Sequence, residues 1–376
     1  MKLSRRGFLG AAGALTALTL WPGGARATQG DARLLVVLLR GGVDGLHVLA
    51  PNGDANYRRL RGALAPEDAT PLAEGFALHP SLGFARELYA QRQLLPVVAI
   101  APPYRQRSHF EAQDCLENGT ASASGASSGW LNRCVAALRG EEALAISAVM
   151  PLIMRGTGAA TTWSPPLPDE VNPILLQRLQ PLYAADRELG EAFQRALQTG
   201  DATMAAGAGG RLPNAMRAAA KFMSAGDGPR IGFVEDSGWD THSNQAAVLK
   251  RKLGELDAGL RAFEEAAKGV WNRSVVVVVS EFGRTAAANG TGGTDHGTGG
   301  LALLAGGSVR GGRVAGDWPG LAPSQLNEGR DLRATSDLRG LFKGVLAGHL
   351  HVAEAALETS VFPESRDVPA MTGLVA

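Results

Sequence analysis

Eight side chains able to bind a metal or move a proton stand beside the ends of apolar runs in this chain. The richest stretch is residues 275–300, VVVVVSEFGRTAAANGTGGTDHGTGG. Five valines run into Ser280, Glu281, Phe282, Gly283 and Arg284, and a glycine-rich loop then delivers Asp295 and His296. Asp44 follows the apolar run at 33–39, Ser108 and His109 follow the run at 94–100, and Asp240 and His242 follow the run at 230–234. Carboxylates and imidazoles gathered in one place are the ligand set of zinc, manganese or similar divalent ions, with calcium and magnesium as oxygen-preferring alternatives. Such an ion activates a water or polarises a phosphoryl or sulfuryl oxygen. The metal-ligand candidates are therefore Asp44, Asp240, His242, Glu281 and His296. Ser108 is the candidate nucleophile, placed at a helix start where a local dipole and free amides can stabilise an oxyanion. His109 and Arg284 are the candidates for steadying an anion, and Asp295 is read as the group that orients the His296 imidazole. Each has a plainer alternative. Asp44 can be a turn former, Ser108 an N-cap alone, His109 a structural hydrogen-bonder, Asp240 a helix cap, His242 a first-turn surface residue, and Glu281 a partner of Arg284.

These residues are far apart in sequence, so they act together only if a sheet gathers them. The valine run reads as a strand buried on both faces, as in a parallel sheet. Further strands are expected at 33–39, 94–100, 144–150, 230–234 and 301–305. Helices are expected at 82–89, 108–118, 130–138, 172–198, 212–225, 246–268 and 338–349, with a flexible Gly/Ala stretch at 205–210. Ser108 and Glu111 have the spacing of a capping box. The helix over 246–268 carries Leu249, Leu253, Leu256, Leu260 and Phe263 at helical spacing among many charges, the pattern of an amphipathic surface helix. Strands alternating with helices predict an α/β three-layer sandwich around a mostly parallel central sheet. In such a sheet the strand C-termini share one edge, where ligands bind. Gly125-Ala126-Ser127-Ser128-Gly129 matches the nucleophile-elbow pattern, but that motif needs a preceding strand. Thr120–Ser124 is small and polar, so Ser128 reads instead as the N-cap of the next helix.

The first 27 residues read as a targeting segment. Ser4-Arg5-Arg6-Gly7-Phe8-Leu9 is a twin-arginine pattern, the mark of export through the Tat translocase. The apolar stretch Phe8–Trp21 is too short to span a bilayer comfortably, and Ala25-Arg26-Ala27 is a cleavage site. The expected organisation is a leader over 1–27 and a single α/β domain over 28–376, working in the periplasm or outside the cell. Removing the leader, with its four basic residues and no acid, takes the net charge from +1 to −3. No nucleic-acid footprint and no transmembrane segment are expected of the mature chain. Cys115 and Cys134 both fall in predicted helices; they read as buried free thiols, with one disulfide as the alternative in an oxidising compartment. The Pro-rich stretch over 161–173 is placed to shape a pocket.

RGGVDGL at 40–46, RSHFEAQD at 107–114, GWLNR at 129–133, WDTHSNQ at 239–245, SEFGRT at 280–285 and GGTDHGTGG at 292–300 together resemble the motif series of the domain-of-unknown-function family 1501. That family in turn resembles the alkaline phosphatase and sulfatase superfamily. The resemblance implies an alkaline phosphatase-like fold with an Asp ligand after the first strand, a nucleophile at a helix start after the second, an Asp-to-His pair after a later strand and one more His before another. Asp44, Ser108, Asp240, His242 and His296 match those places. Where the superfamily carries Asp-His at the end of a hydrophobic strand, this chain has Glu281–Phe282, so the resemblance implies one imidazole fewer there. It also implies hydrolysis of a phosphate or sulfate ester, an anionic substrate with envelope components among the candidates. The alternative is a periplasmic binding or assembly factor that keeps the fold without the chemistry.

Overall fold

The longest apolar runs form the middle of an eight-stranded sheet. The structure is a computed structural model and describes residues 32–164 and 210–376. Its strands in chain order are β1 (Arg33–Leu39), β2 (Leu49–Ala50), β3 (Thr70–Pro71), β4 (Ala77–Leu78), β5 (Leu94–Ala101), β6 (Glu142–Ile146), β7 (Ala159–Trp163), β8 (Ile231–Asp236), β9 (Ser274–Val279), β10 (Gly300–Ala305) and β11 (Ser336–Asp337). The helices that position the site are α1 (Gly45–Val48), α2 (Tyr57–Arg61), α3 (Gly83–Ala90), α4 (His109–Asn118), α5 (Trp130–Ala137), α6 (Arg211–Ser224), α7 (Gln245–Ala266) and α8 (Leu338–Leu350). The leader, the helix expected over 172–198, and most of the stretches at 161–173 and 205–210 lie outside the described residues. By its contacts the chain divides into two units, and the site belongs to the one comprising Ala27–Thr162 and Gly209–Ala376.

The main sheet has the order β11-β5-β10-β9-β1-β8-β6-β7. β1 is central and runs parallel to both neighbours, with Val36 opposite Phe233 on one side and Val277 on the other. β6 is parallel to β8, and β11 to β5. β10 is the exception, antiparallel to both β9 and β5. That reversal brings the start of β10 to the edge where the parallel strands end. The loop before β10 therefore joins the loops that follow the others.

Alternate side chains of the central strands serve two helical layers. On one face Val36, Val275, Val277 and Phe233 pack with Trp130 and Leu131 of α5 and with Phe342 and Val345 of α8. On the other, Leu253 and Leu256 of α7 meet Leu39, Val278, Leu301 and Leu303. The result is the three-layer α/β arrangement expected. The five apolar residues of α7 are all buried, but the helix is less of a surface element than its charges suggest. Lys252 is buried too, paired with Asp236 and lying 5.0 Å from the Trp239 ring.

Several local expectations are corrected. The strand expected at 144–150 lies at Glu142–Ile146, because the chain bends from Ser147 onward. β7 and the two-residue strands carry no apolar period and were not legible. The capping box at Ser108 does not close: Ser108 occupies the N-cap without a side-chain bond, and the Tyr104 phenol takes the Glu111 carboxylate. The N-cap of α5 is Gly129 rather than Ser128, and only glycine fits there, because a Cβ would meet Ile153 backbone atoms at 2.1 Å. Cys115 and Cys134 are free and buried, and burial pushes their thiols up to about 11 and about 12. Among the described residues no helix is long and apolar enough to cross a membrane.

Candidate functional site

Three loops at the shared edge bring together three imidazoles and one carboxylate. His109 opens α4, Asp240 and His242 lie between β8 and α7, and His296 lies in the loop before β10. The His296 Nε2 is 3.0 Å from the Nε2 of His109 and 3.0 Å from that of His242. Asp240 Oδ1 is 3.1 Å from His242 Nε2 and 3.3 Å from His296 Nε2, and its Oδ2 is 3.4 Å from His109 Nε2. Donor atoms of His109, Asp240 and His296 all lie within 4.8 Å of one another. In a tetrahedral zinc site, with metal–nitrogen bonds of about 2.0–2.1 Å, ligand atoms are about 3.3 Å apart.

The far nitrogens of the three rings decide where the protons are. His109 Nδ1 lies 2.8 Å from Glu281 Oε1, His242 Nδ1 lies 3.0 Å from Asp295 Oδ1, and His296 Nδ1 lies 3.0 Å from the Arg107 carbonyl oxygen. A carboxylate and a carbonyl only accept, so each neutral ring carries its hydrogen on Nδ1. Three Nε2 lone pairs and an anionic carboxylate then face one another with no hydrogen between them. With all three rings neutral such an arrangement is repulsive, and a cation among the donors, either a metal ion or a proton on one Nε2, relieves it. Rings held this way, by carboxylate or carbonyl, are what metal-ligating histidines show.

The supports of these rings explain how the sequence folds here. Glu281 is buried, and its Oε1 accepts from Gly41 N, Gln113 Nε2 and His109. Burial opposes ionisation of Glu281, but the bonds from His109, Gln113 and Gly41 outweigh it and hold the carboxyl below its ordinary range. Glu281 in turn raises the His109 pKa against the opposing effect of burial. His296 shifts the other way, lowered by burial and by the neighbouring His109. Two glycines let the β1 loop pass between these parts. A Cβ at Gly41, φ 126°, meets Asp240 N at 2.4 Å, and one at Gly42, φ 63°, meets the Phe282 ring at 2.4 Å. The loop from Gly283 to Gly299 is closed by Gly283 N to Thr298 O at 3.0 Å and Thr285 N to Asp295 O at 2.9 Å, which fixes the return of His296.

The structure places the residues singled out in the sequence as follows. Asp240, His242 and His296 lie together, and His109 lies with them, its Nε2 3.0 Å from that of His296. Glu281 does not face the cluster as a ligand; its oxygens are taken up in orienting His109 and in a bond from Ser280. Asp44 is not in the cluster. It is completely buried, pairs with the buried Arg61 guanidinium and accepts from Leu46 N and Gln245. Burial works against its ionisation, yet Arg61 holds its carboxyl below the ordinary value. Arg284 is not available to an anion: it is buried, and its nitrogens donate to the carbonyls of Gly41, Gly42 and Thr294 and to Asp240. Asp295 does orient an imidazole, but that of His242. Ser108 precedes His109 and lies beside the Tyr104 phenol. Among the described residues no bond joins it to the cluster. Phe282 supplies no ligand; its ring packs against His109 and His296, with centroids 4.7 and 5.1 Å away. Gln113 and Arg107 are the supports that sequence reasoning missed. Gln113 lies in the RSHFEAQD motif, one helical turn after His109, and that spacing was the available signal.

The site is graded from dry to wet. Glu281 is wholly buried and the His109 and His296 side chains are about a quarter exposed, whereas Asp240 and His242 are 42% and 45% exposed. One side of the cluster is thus open to solvent and to a ligand.

The cluster lies at the strand ends of a mostly parallel α/β sheet. The chain belongs to the family described as Protein of unknown function (DUF1501), whose model matches residues 79–360. No curated protein matches the chain. Among solved structures it is similar to murine ectonucleotide pyrophosphatase/phosphodiesterase 5, at 10% identity and a TM-score of 0.33, covering 67% of this chain and 57% of that one. This chain therefore spans little more than half the length of that relative. It is similar to an alkaline phosphatase superfamily protein from Vibrio parahaemolyticus, at 14% identity and a TM-score of 0.41, covering 84% and 72% of the two chains. It is also similar to a protein of glycosaminoglycan metabolism from Bacteroides thetaiotaomicron, at 9% identity and a TM-score of 0.44, covering 90% and 75%.

Proposed function

We propose that the chain is an exported, metal-dependent hydrolase of phosphate or sulfate esters. The observation that carries the reading is the convergence of three Nε2 lone pairs and the Asp240 carboxylate, with each ring's Nδ1 tied to an acceptor. His109, Asp240 and His296 would hold the ion, with His242 beside them. An imidazole-rich set suits zinc or manganese better than calcium or magnesium, which prefer oxygen. A divalent ion there supplies Lewis acidity toward an ester oxygen or a water. Arg284 keeps Asp240 ionised against the effect of burial, so the carboxylate stays a donor at neutral pH. Ser108, next to His109 at the start of α4 and committed to no helix amide, is the nucleophile in this reading. The twin-arginine segment supports export by the Tat route.

The open side of the cluster gives an ester room to approach. The test is turnover of aryl phosphates and aryl sulfates by zinc-loaded protein. Activity lost in Ser108→Ala, with zinc retained, is the expected result; no turnover of either ester by fully loaded protein contradicts the reading. A second reading is a metal-holding binding or assembly factor. It is favoured by one observation, that Ser108 makes no bond to the cluster, and it predicts that Ser108→Ala leaves the biological role intact.

A further inference from the structure

With Arg284 spent on Asp240 and backbone carbonyls, a hydrolase of anionic esters needs another cation. Arg107 lies beside the cluster: its carbonyl holds His296 Nδ1, and His109 is two residues on. It holds that place with φ 62°, a left-handed conformation that strains a non-glycine residue. Its guanidinium is used through one nitrogen only. Nη2 donates to Glu328 Oε2 at 2.7 Å and to Asp331 Oδ1 at 3.1 Å. Nε is buried with no partner, and among the described residues Nη1 has none either.

The two carboxylates on Arg107 differ in kind. Asp331 is fully buried, and its other oxygen binds Thr298 N at 2.8 Å, two residues beyond His296. It is shared with Arg330, which also donates to the His296 carbonyl at 2.7 Å. Glu328 is 67% exposed, makes no other bond among the described residues, and sits in a left-handed turn with φ 52° followed by Gly329 at φ 65°. Asp331 is thus a fixed part of the fold, whereas Glu328 is an anion presented from outside. Removing it leaves two guanidiniums facing one carboxylate, a net positive site flanking His296.

We propose that Arg107 holds the anionic group of the ligand and that the Glu328 carboxylate is a resident stand-in for that group, displaced when a tetrahedral oxyanion binds. The inference deepens the hydrolase reading and rests on it for the identity of the anion as phosphate or sulfate. A guanidinium with unspent N–H groups matches two oxygens of such an anion, which an ammonium cannot do.

The test is calorimetric titration of inorganic phosphate and of sulfate into the full chain, both zinc-loaded and metal-free. The proteins are wild type, Glu328→Gln, Arg107→Gln and Arg107→Lys, with zinc content and thermal midpoint measured on each. Glu328→Gln is expected to tighten anion binding about three- to tenfold, and Arg107→Gln to weaken it about tenfold or more, with Arg107→Lys between. A gain in Glu328→Gln cannot come from a folding defect. Anion affinity that is indifferent to both Arg107 and Glu328 in both forms, or no anion binding in either, overturns the proposal. Arg107-dependent anion binding by a protein that takes up no zinc overturns the metal reading and leaves this one standing.

Discussion

At the scale of single residues, charge type did not decide role; what each charged group already touches did. Glu281 and Asp240 are both carboxylates beside imidazoles, but Glu281 is buried and filled with hydrogen bonds, whereas Asp240 faces the Nε2 atoms with one flank in solvent. Orienting partners of metal-bound histidines are worth about 10–100-fold in metal affinity. Glu281→Gln, which keeps the shape but loses the charge that fixes His109 Nδ1–H, is therefore expected to weaken zinc binding by about that factor. Competition with a chromophoric chelator measures it, and unchanged affinity would remove Glu281 from the account. Asp44 makes the opposite case. Breaking a buried ion pair leaves an uncompensated charge and costs about 3–5 kcal/mol, so Asp44→Asn is expected to lower the denaturation midpoint markedly while zinc uptake persists. The pH dependence follows from the depressed carboxyl. A folded-state pKa below the ordinary 3.8 gives stability that is present above that value and lost as pH falls through the folded one. Asp44→Asn should therefore flatten the acid limb of the stability curve, and a limb of unchanged steepness would contradict the ion-pair role.

At the scale of elements, the sequence made the strands legible and left their directions open. Val275–Val279, Leu94–Ile100 and Leu34–Leu39 are continuous apolar runs, and a buried strand has few other ways to look. Nothing in Leu301–Ala305 announces that β10 runs against its neighbours. That reversal alone explains why a histidine before a strand meets a histidine after one. The site was half legible for the same reason. Asp240, His242 and His296 stood out by residue type and by position at strand ends. That His109 Nε2 lies among the other imidazoles while Glu281 lies behind its Nδ1 depends on side-chain direction across a tertiary contact, which spacing in one chain does not encode. Asp44 looked like a ligand because a Gly-Gly-Val-Asp-Gly turn after a strand is also how a ligand loop looks; Arg61, its real partner, lies on α2 with no pattern linking the two. The loop that carries His296 depends on glycine at its neck. A Cβ at Gly283 meets the Gly299 carbonyl oxygen at 2.0 Å, so Gly283→Ala must pull apart the pairing of Gly283 with Thr298 and Gly297. Overpacking of this kind costs about 1–3 kcal/mol. A lower thermal midpoint together with weakened zinc binding is the expected outcome, whereas zinc binding at wild-type strength would show that the loop neck does not position His296.

At the scale of the whole molecule, the described fold rests on a sheet covered on both faces rather than on a covalent staple. Cys115 and Cys134 are buried thiols, so the thermal midpoint should be the same with and without reductant, and both thiols should react with a thiol reagent only on unfolding. A midpoint that falls on reduction would show a disulfide where the structure has none. Burial on both faces also makes the strand-end edge rigid, which a preorganised cluster of mutually repelling donors needs. The central claim is that those donors await a cation, and zinc titration of the metal-free protein tests it most directly. The account predicts about one tightly bound zinc per chain, and loss of that site in both His109→Ala and His296→Ala. No tight binding, or binding that survives both substitutions, would contradict it.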